Sequence, residues 1–334
     1  MKQIVECVPN FNERRNKEIV NSIAWSIQQT PQVKLLSVEP DTDYNRSVVT
    51  FVGEPDAVVE AAYRATKIAA EKIDMSLHKG EHPRIGATDV VPFVPVSGVT
   101  MEDCVKCANE YGSRVGNDLG IPIYLYEEAA RVPERRNLPN IRKGEYEGLK
   151  DKLKDPAWKP DYGPVVFNAK SGATVIGARV FLIAYNVNLD TANKEIAHEI
   201  ALRIRESGRT VKDANGVATK VPGTLKSVKA MGVFLDRFNI AQVSINLTNF
   251  NVTPPHVAFE EVKKHAAELG VNVTGSEIVG LIPKDALVMA GKYFNGSNTK
   301  NNADARLIEL AMKRLGLSQL EPFIPTKKII EYMI

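Results

Sequence analysis

Cysteine is scarce in this chain: Cys7, Cys104 and Cys107 are the only three among 334 residues. An odd, sparse set builds no disulfide framework, and it suits a reducing cytoplasm, where the chain is expected to work. Long apolar runs are also missing. The longest, such as Ala286 to Ala290 and Val180 to Tyr185, fall far short of the roughly 20 residues that span a bilayer, so no membrane partner is expected. At the N-terminus, MKQIVECVPNFNERRNK interrupts its apolar residues with charge and Pro too early for a signal-peptide core. Charge of one sign is not in excess either. Against 40 Asp+Glu stand 43 Lys+Arg, interspersed rather than gathered into the basic stripe that nucleic-acid binding uses, so no nucleic-acid partner is expected. Neither a G-x-G-x-x-G after a strand nor a P-loop lysine motif occurs, which leaves nucleotide cofactors without support.

What is present has ordinary globular proportions, 44% hydrophobic and 25% charged, and a length that suggests two compact units. The first half reads as a strand at Ile4 to Val8, a helix from Lys17 to Gln29 with Ile19, Ile23 and Ile27 at i+4 spacing, and strands at Val33 to Val38 and Ser47 to Val52. A helix opened by Pro55 and a strand at Val90 to Val96 follow. A further helical pattern runs from Thr100 to about Gly116, with a short apolar run at Ile121 to Leu125. Arg131 to Tyr162 is polar, charged and Pro-rich, and is expected as surface structure with short helices. The second half then repeats β-α-β-β-α-β: an apolar run at Val175 to Asn186, a helix from Thr191, runs at Ser227 to Leu235 and Ala241 to Leu247, a helix after Pro254-Pro255, and Val271 to Val279. This predicts an α/β (α+β) fold of two split β-α-β, ferredoxin-like subdomains, 1–172 and 173–334. The open sheet faces are expected to pack on each other as a double β-layer with helices outside, leaving a small-molecule groove at the seam.

The densest chemistry lies in His78-Lys79-Gly80-Glu81-His82-Pro83-Arg84-Ile85-Gly86-Ala87-Thr88-Asp89, between a helix and a strand. Gly and Pro aim side chains in loops held by rigid elements, and His82 precedes Pro83, which biases it to extended backbone. An imidazole there either moves a proton near neutral pH or is held for structure; residue type leaves both open. Zinc on His78 and His82 would need a helical face that Gly80 and Pro83 break, and no third ligand is evident, so no metal is expected. The Cys104/Cys107 pair sits at i, i+3 in a helical pattern and reads as burial. His198 and His265 read as structural or exposed, and His256 as a weak candidate. The stretch Gly163-Pro164-Val165-Val166-Phe167-Asn168-Ala169-Lys170-Ser171-Gly172 reads as a linker or as a bed for a flat ligand. Asn295 to Asn302 reads as an exposed polar loop.

Taken together, Glu6-Cys7-Val8-Pro9-Asn10-Phe11, the GEHPRIGATDVVPFVPV run from Gly80, and Gly172-Ala173-Thr174 with Gly177-Ala178-Arg179 resemble the glutamate formiminotransferase family over essentially the whole chain. The resemblance implies transfer of the formimino group from N-formiminoglutamate to tetrahydrofolate as co-substrate, in histidine degradation, by a homodimer. It places the catalytic histidine on His82 and the folate-binding segment on Gly163, Pro164, Val165, Val166, Phe167, Asn168, Ala169, Lys170, Ser171 and Gly172. Animal relatives carry a tryptophan where this chain has Ser171, which leaves the folate stacking arrangement open. They also continue into a cyclodeaminase domain, an activity not expected here. Substrate carboxylates call for cations with fork geometry, for which Arg46, Arg84 and Arg179 are the candidates, while Asp89 or Glu39 is the candidate for orienting His82. Formyl transfer between 5-formyltetrahydrofolate and glutamate, and folate binding without turnover, are the alternatives.

Overall fold

The structure is a computed structural model that describes residues 2–41, 45–79, 83–212, 216–296 and 303–334. The chain divides into two compact units, Met1–Val180 and Phe181–Ile334. Among the described residues no helix is long and apolar enough to cross a membrane.

In the first unit, β1 (Ile4–Cys7) and β2 (Asn10–Phe11) are consecutive pieces that both pair with β4 and β5. Helix α1 (Lys17–Gln28) is opened by Asn16, whose side chain accepts from the Glu18 and Ile19 amides that helix geometry leaves unpaired. Then β3 (Val33–Asp41) and β4 (Arg46–Gly53) form an antiparallel pair. Pro55 begins α2 (Pro55–Lys72), where a missing N–H costs nothing. After β5 (Thr88–Ser97), a reciprocal Thr100–Asp103 capping box starts α3 (Met101–Leu119). β6 (Ile123–Glu127), the short helices α4 (Leu138–Arg142) and α5 (Glu145–Lys152), and β7 (Thr174–Ala178) complete the unit.

The antiparallel core, ordered β3-β4-β1/β2-β5, is a split β-α-β sheet, and β7 and β6 extend it in parallel beyond β5. Val91 and Phe93 of β5, Ile123 and Leu125 of β6, and Ile176 of β7 point into the core under α1, α2 and α3. Their neighbours Val90, Tyr124, Tyr126 and Val175 point the other way and pack with Ile141, Leu149 and Leu153. The polar stretch between β6 and β7 thus has a structural task, since α4 and α5 cover the second face of the β5-β7-β6 edge. Cys7, Cys104 and Cys107 are free and buried, and burial pushes the Cys104 and Cys107 thiols up to about 12. That pair is core packing.

The second unit contains β8 (Ile183–Leu189), α6 (Lys194–Ile204), an exposed hairpin of β9 (Arg209–Lys212) and β10 (Ala218–Val221), β11 (Val228–Leu235), β12 (Ile240–Leu247), α7 (Pro255–Glu268) and β13 (Val273–Val279). The helices α8 (Lys284–Asn295), α9 (Asp304–Leu315) and α10 (Pro325–Lys328) follow. Its main sheet is fully antiparallel in the order β11-β12-β8-β13, the ferredoxin-like arrangement. The hairpin and the three C-terminal helices are additions to the order read from the sequence.

One run behaves differently from its sequence pattern. Val175 to Asn186 is not a single strand opening the second half; it is β7 in the first sheet and β8 in the second, and the division of the chain falls after Val180 rather than after Gly172. Gly177 explains the seating of β7. A Cβ there would lie 2.4 Å from both the carbonyl oxygen and Cδ1 of Tyr126, so only glycine lets β7 lie flush against β6. Gly177→Ala is expected to destabilise the first unit by about 1–3 kcal/mol. Both tryptophans, Trp25 and Trp158, lie in that unit, so a lowered urea midpoint in their fluorescence checks this, and an unchanged midpoint contradicts it.

Candidate active site

His82, with Gly80 and Glu81, lies outside the described residues. Arg84 is bonded to His78: its Nε donates to His78 Nδ1 at 3.0 Å and its Nη2 to the His78 carbonyl at 3.3 Å. Because Nδ1 accepts, the ring proton sits on Nε2, which donates to the Asn45 carbonyl at 3.1 Å. Burial, reinforced by the Arg84 charge, holds the His78 pKa below its ordinary value, so the ring is a neutral acceptor. Arg84 is itself buried, and its other nitrogens meet Glu147 Oε1 at 2.6 Å and Glu145 Oε2 at 3.2 Å on the first turn of α5. Expected as a clamp for substrate carboxylates, Arg84 instead has its guanidinium committed to the protein. A cavity of about 460 Å³ lined by Lys79, Arg84, Gly144, Glu145 and Glu147 opens beside it.

Asp89 is fully buried. Its Oδ1 accepts from the Ile85 amide at 2.9 Å and its Oδ2 from Arg142 at the end of α4, so its carboxylate braces the loop before β5. Asn12 braces the same loop from β2's side, donating to the Gly86 carbonyl at 2.7 Å through Nδ2 and to the Ala87 carbonyl at 2.9 Å through its amide.

The folate-segment candidate, Gly163 to Gly172, is hydrogen-bonded to this loop. Gly86 and Gly172 form a β-bridge, the Ala87 amide donates to the Ser171 carbonyl at 2.8 Å, and the Ala173 amide donates to the Ile85 carbonyl at 3.1 Å. The approach demands glycine on both sides. A Cβ on Gly86 would lie 2.1 Å from the Ala173 carbonyl oxygen, and one on Gly172, whose φ is +67°, 2.2 Å from that of Ile85. Within the segment, the Asn168 carbonyl accepts from the Gly172 amide and Asn168 Oδ1 from the Ser171 amide. Lys170 Nζ caps the end of α2 through the Glu71 carbonyl at 2.6 Å. Val165 and Val166 face solvent at 48% and 65% exposure, while Phe167 packs its ring on Tyr146, 5.5 Å between centroids. Tyr146 ties the two stretches a second time: its amide donates to the Arg84 carbonyl and its hydroxyl to the Ala169 carbonyl.

The remaining candidates lie on the sheet face opposite α1, α2 and α3. Register pairs Glu39 with Val48, Val48 with Asn10, and Asn10 with Val90, so Glu39 and Asn10 share the face of Val90. Arg46, two residues from Val48, shares it too and donates to Asn10 Oδ1. Buried Glu6 falls between Val5 and Cys7 of the helix-side core and therefore points to the same face. Arg179 extends β7, where it donates to the Val180 carbonyl at 3.0 Å and lies near the Tyr126 hydroxyl. The structure thus joins Arg84, Asp89 and the 163–172 segment through direct contacts, and sets Glu39, Arg46 and Arg179 along one sheet face. Sequence reasoning missed Asn12, Asn45, Arg142, Glu145, Tyr146 and Glu147 as supports. Asn12 alone carried a signal, following directly on the Glu6 to Phe11 motif.

Comparison with known proteins decides the family. The model of the formiminotransferase domain's N-terminal subdomain matches residues 4–179, and that of the formiminotransferase domain matches residues 184–334. The chain belongs to the formiminotransferase family. It is 48% identical over 313 residues to glutamate formimidoyltransferase of Thermoplasma acidophilum, covering 92% of this chain and 98% of that one. The Streptococcus pyogenes glutamate formimidoyltransferase is 45% identical over 294 residues, covering 88% and 94%. Formimidoyltransferase-cyclodeaminase of Dictyostelium discoideum is 50% identical over 335 residues, of which this chain spans 61% of the relative's length.

No group of three or more His, Cys, Asp or Glu among the described residues is placed to hold a metal ion. The neutral His78 has a consequence for pH. Its folded pKa lies below the unfolded value near 6.5, so unfolded chains bind the proton first as pH falls. The stability it contributes is whole above that value and is lost as pH drops from about 6.5 through the folded pKa. His78→Asn should flatten this part of the wild-type pH–stability curve, as measured by urea unfolding of the first unit. Parallel curves for the two proteins would contradict it.

Proposed function

We propose that the chain is a glutamate formimidoyltransferase that moves the formimino group of N-formimino-L-glutamate to N5 of tetrahydrofolate, giving 5-formiminotetrahydrofolate and L-glutamate. One observation carries the reading: the loop that contains His82 and the Gly163 to Gly172 segment, which the resemblance assigns to catalysis and to folate, are hydrogen-bonded to each other in a chain spanning nearly all of two relatives bearing that name.

N5 attacks the formimino carbon, and a tetrahedral intermediate forms as N5 gives up its proton. The bond from that carbon to the glutamate nitrogen then breaks, and that nitrogen takes a proton as it leaves. His82 is the group that receives the first proton and returns it in the second step, a task in which one placed imidazole contributes about 10²- to 10⁴-fold. The exposed Val165 and Val166 offer apolar surface to the pterin, and the buried Gly86–Gly172 contact holds that surface in place. Arg46 and Arg179, which share a sheet face, are the cations for the glutamate carboxylates. Tetrahydrofolate is a co-substrate, no metal takes part, and a cytoplasmic homodimer completes the proposal.

His82→Ala should lower transfer by 10²-fold or more while tetrahydrofolate binding stays within a few-fold of wild type. The check is a formimino-transfer assay beside folate titration, run with N-formiminoglutamate and, separately, with 5-formyltetrahydrofolate and glutamate. Near-normal turnover of the variant, or turnover only with the formyl pair, would overturn the assignment.

A further inference from the structure

The second unit's sheet carries hydrogen-bonding side chains on the face turned away from its helices. Ile183, Tyr185, Val187 and Leu189 alternate into the helix-side core, which turns Asn186 and Asn188 of β8 to the opposite face. Register places Glu277 of β13 beside Asn186, and Gln242 of β12 beside Asn188. These four are wired together. Gln242 Nε2 donates to Asn188 Oδ1 at 2.6 Å and to Glu277 Oε1 at 2.9 Å, Asn186 Nδ2 donates to the same Glu277 Oε1 at 3.0 Å, and Asn188 Nδ2 donates to Gln319. Since a carboxylate accepts hydrogen bonds, its contact with Gln242 orients that amide, and Gln242 Oε1 is the atom left over.

Two acceptors are therefore unused within one bonded pair. Gln242 is fully buried and its Oε1 has no partner. Glu277 is half-buried, and both of its donors fall on Oε1, so among the described residues Oε2 receives none. A buried carbonyl oxygen without a donor destabilises the fold, and a network that orients one beside a carboxylate oxygen is built for donors from outside the chain.

We propose that Glu277 and Gln242 form a binding subsite for a planar ligand edge with adjacent N–H donors, one accepted by Glu277 Oε2 and the other by Gln242 Oε1. Charge-assisted pairing of this kind suits an amidine or a 2-aminopyrimidin-4-one. Ligand identity rests on the function proposed above, whose two substrates each carry such an edge: the amidine of N-formiminoglutamate and the 2-amino-4-oxo ring of tetrahydrofolate.

Calorimetry on the intact chain, titrated with tetrahydrofolate and separately with N-formiminoglutamate, tests the subsite in wild type and Glu277→Gln. The substitution keeps size and can still accept on one oxygen, but puts an amide where Oε2 was. One ligand should bind about tenfold more weakly or worse and the other within twofold of wild type, and the ligand that loses identifies the source. Gln242→Met, which removes the orphan acceptor at nearly constant volume, should weaken the same ligand and decides the matter should Glu277→Gln not fold. Unchanged affinities in these variants, or equal loss for both ligands, overturn the subsite. Wild-type transfer with unchanged variant affinities overturns the subsite alone, whereas wild-type binding of neither ligand overturns the functional reading with it.

Discussion

Backbone meets backbone at Gly86 and Gly172, closer than any side chain would permit, and much of the first unit is organised around that contact. Because neither residue has a Cβ, the Ala87 and Ala173 amides reach the Ser171 and Ile85 carbonyls and close a small ladder between the loop before β5 and the segment before β7. The ladder fixes where β7 begins, and β7 then fills the place between β5 and β6 that Gly177 leaves flush. A fold contact and a site contact are here the same set of hydrogen bonds. Moving the 163–172 segment would mean opening the sheet edge, which makes this surface rigid before any ligand arrives.

Around that contact the charged groups are mostly supports. Arg84 and Asp89 were the sequence's most chemical-looking residues after His82, yet each is buried and answered: Arg84 by His78, Glu145 and Glu147, Asp89 by Arg142 and the Ile85 amide. A buried charge is tolerated where it is paired and hydrogen-bonded, and such a pairing has one geometry rather than many. The charged partners Arg142, Glu145 and Glu147 come from the short helices α4 and α5, so the polar stretch between β6 and β7 holds Arg84 and Asp89 and, through Tyr146, the neighbouring segment. The neutral His78 belongs to this frame, because as an acceptor for Arg84 it closes the loop without adding a second cation.

Periodicity made the regular elements legible. The helices at Lys17, Pro55, Thr100 and Pro255 and the strands between them follow the expected order because each has an apolar face and each helix opens on a capping side chain or on Pro in its first turn. The Val175 to Asn186 run was misjudged because an apolar run shows no period at which to divide it, and the reason for the division, a missing Cβ against Tyr126, lies in another strand. Short helices with a single buried residue, such as α5 with Leu149, have little pattern to read, and so Tyr146, Glu145 and Glu147 were invisible as supports. Of the site, the two motif segments were legible as local oddities of Gly, Pro and polar residues. Their contact with each other was not, since nothing local in either encodes a partner so far along the chain.

The two units share a sheet topology but not a polar chemistry. On the sheet face opposite α1, α2 and α3, the first unit sets Arg46 and, past the end of β7, Arg179, whose donors match carboxylates. On the face opposite its own helices, the second unit sets Asn186, Asn188, Gln242 and Glu277, wired so that acceptors remain. The substrates proposed above carry glutamate carboxylates and planar N–H edges, groups that match the two kinds of surface in turn. The apolar cores under each sheet, being ordinary, leave those polar faces free to differ.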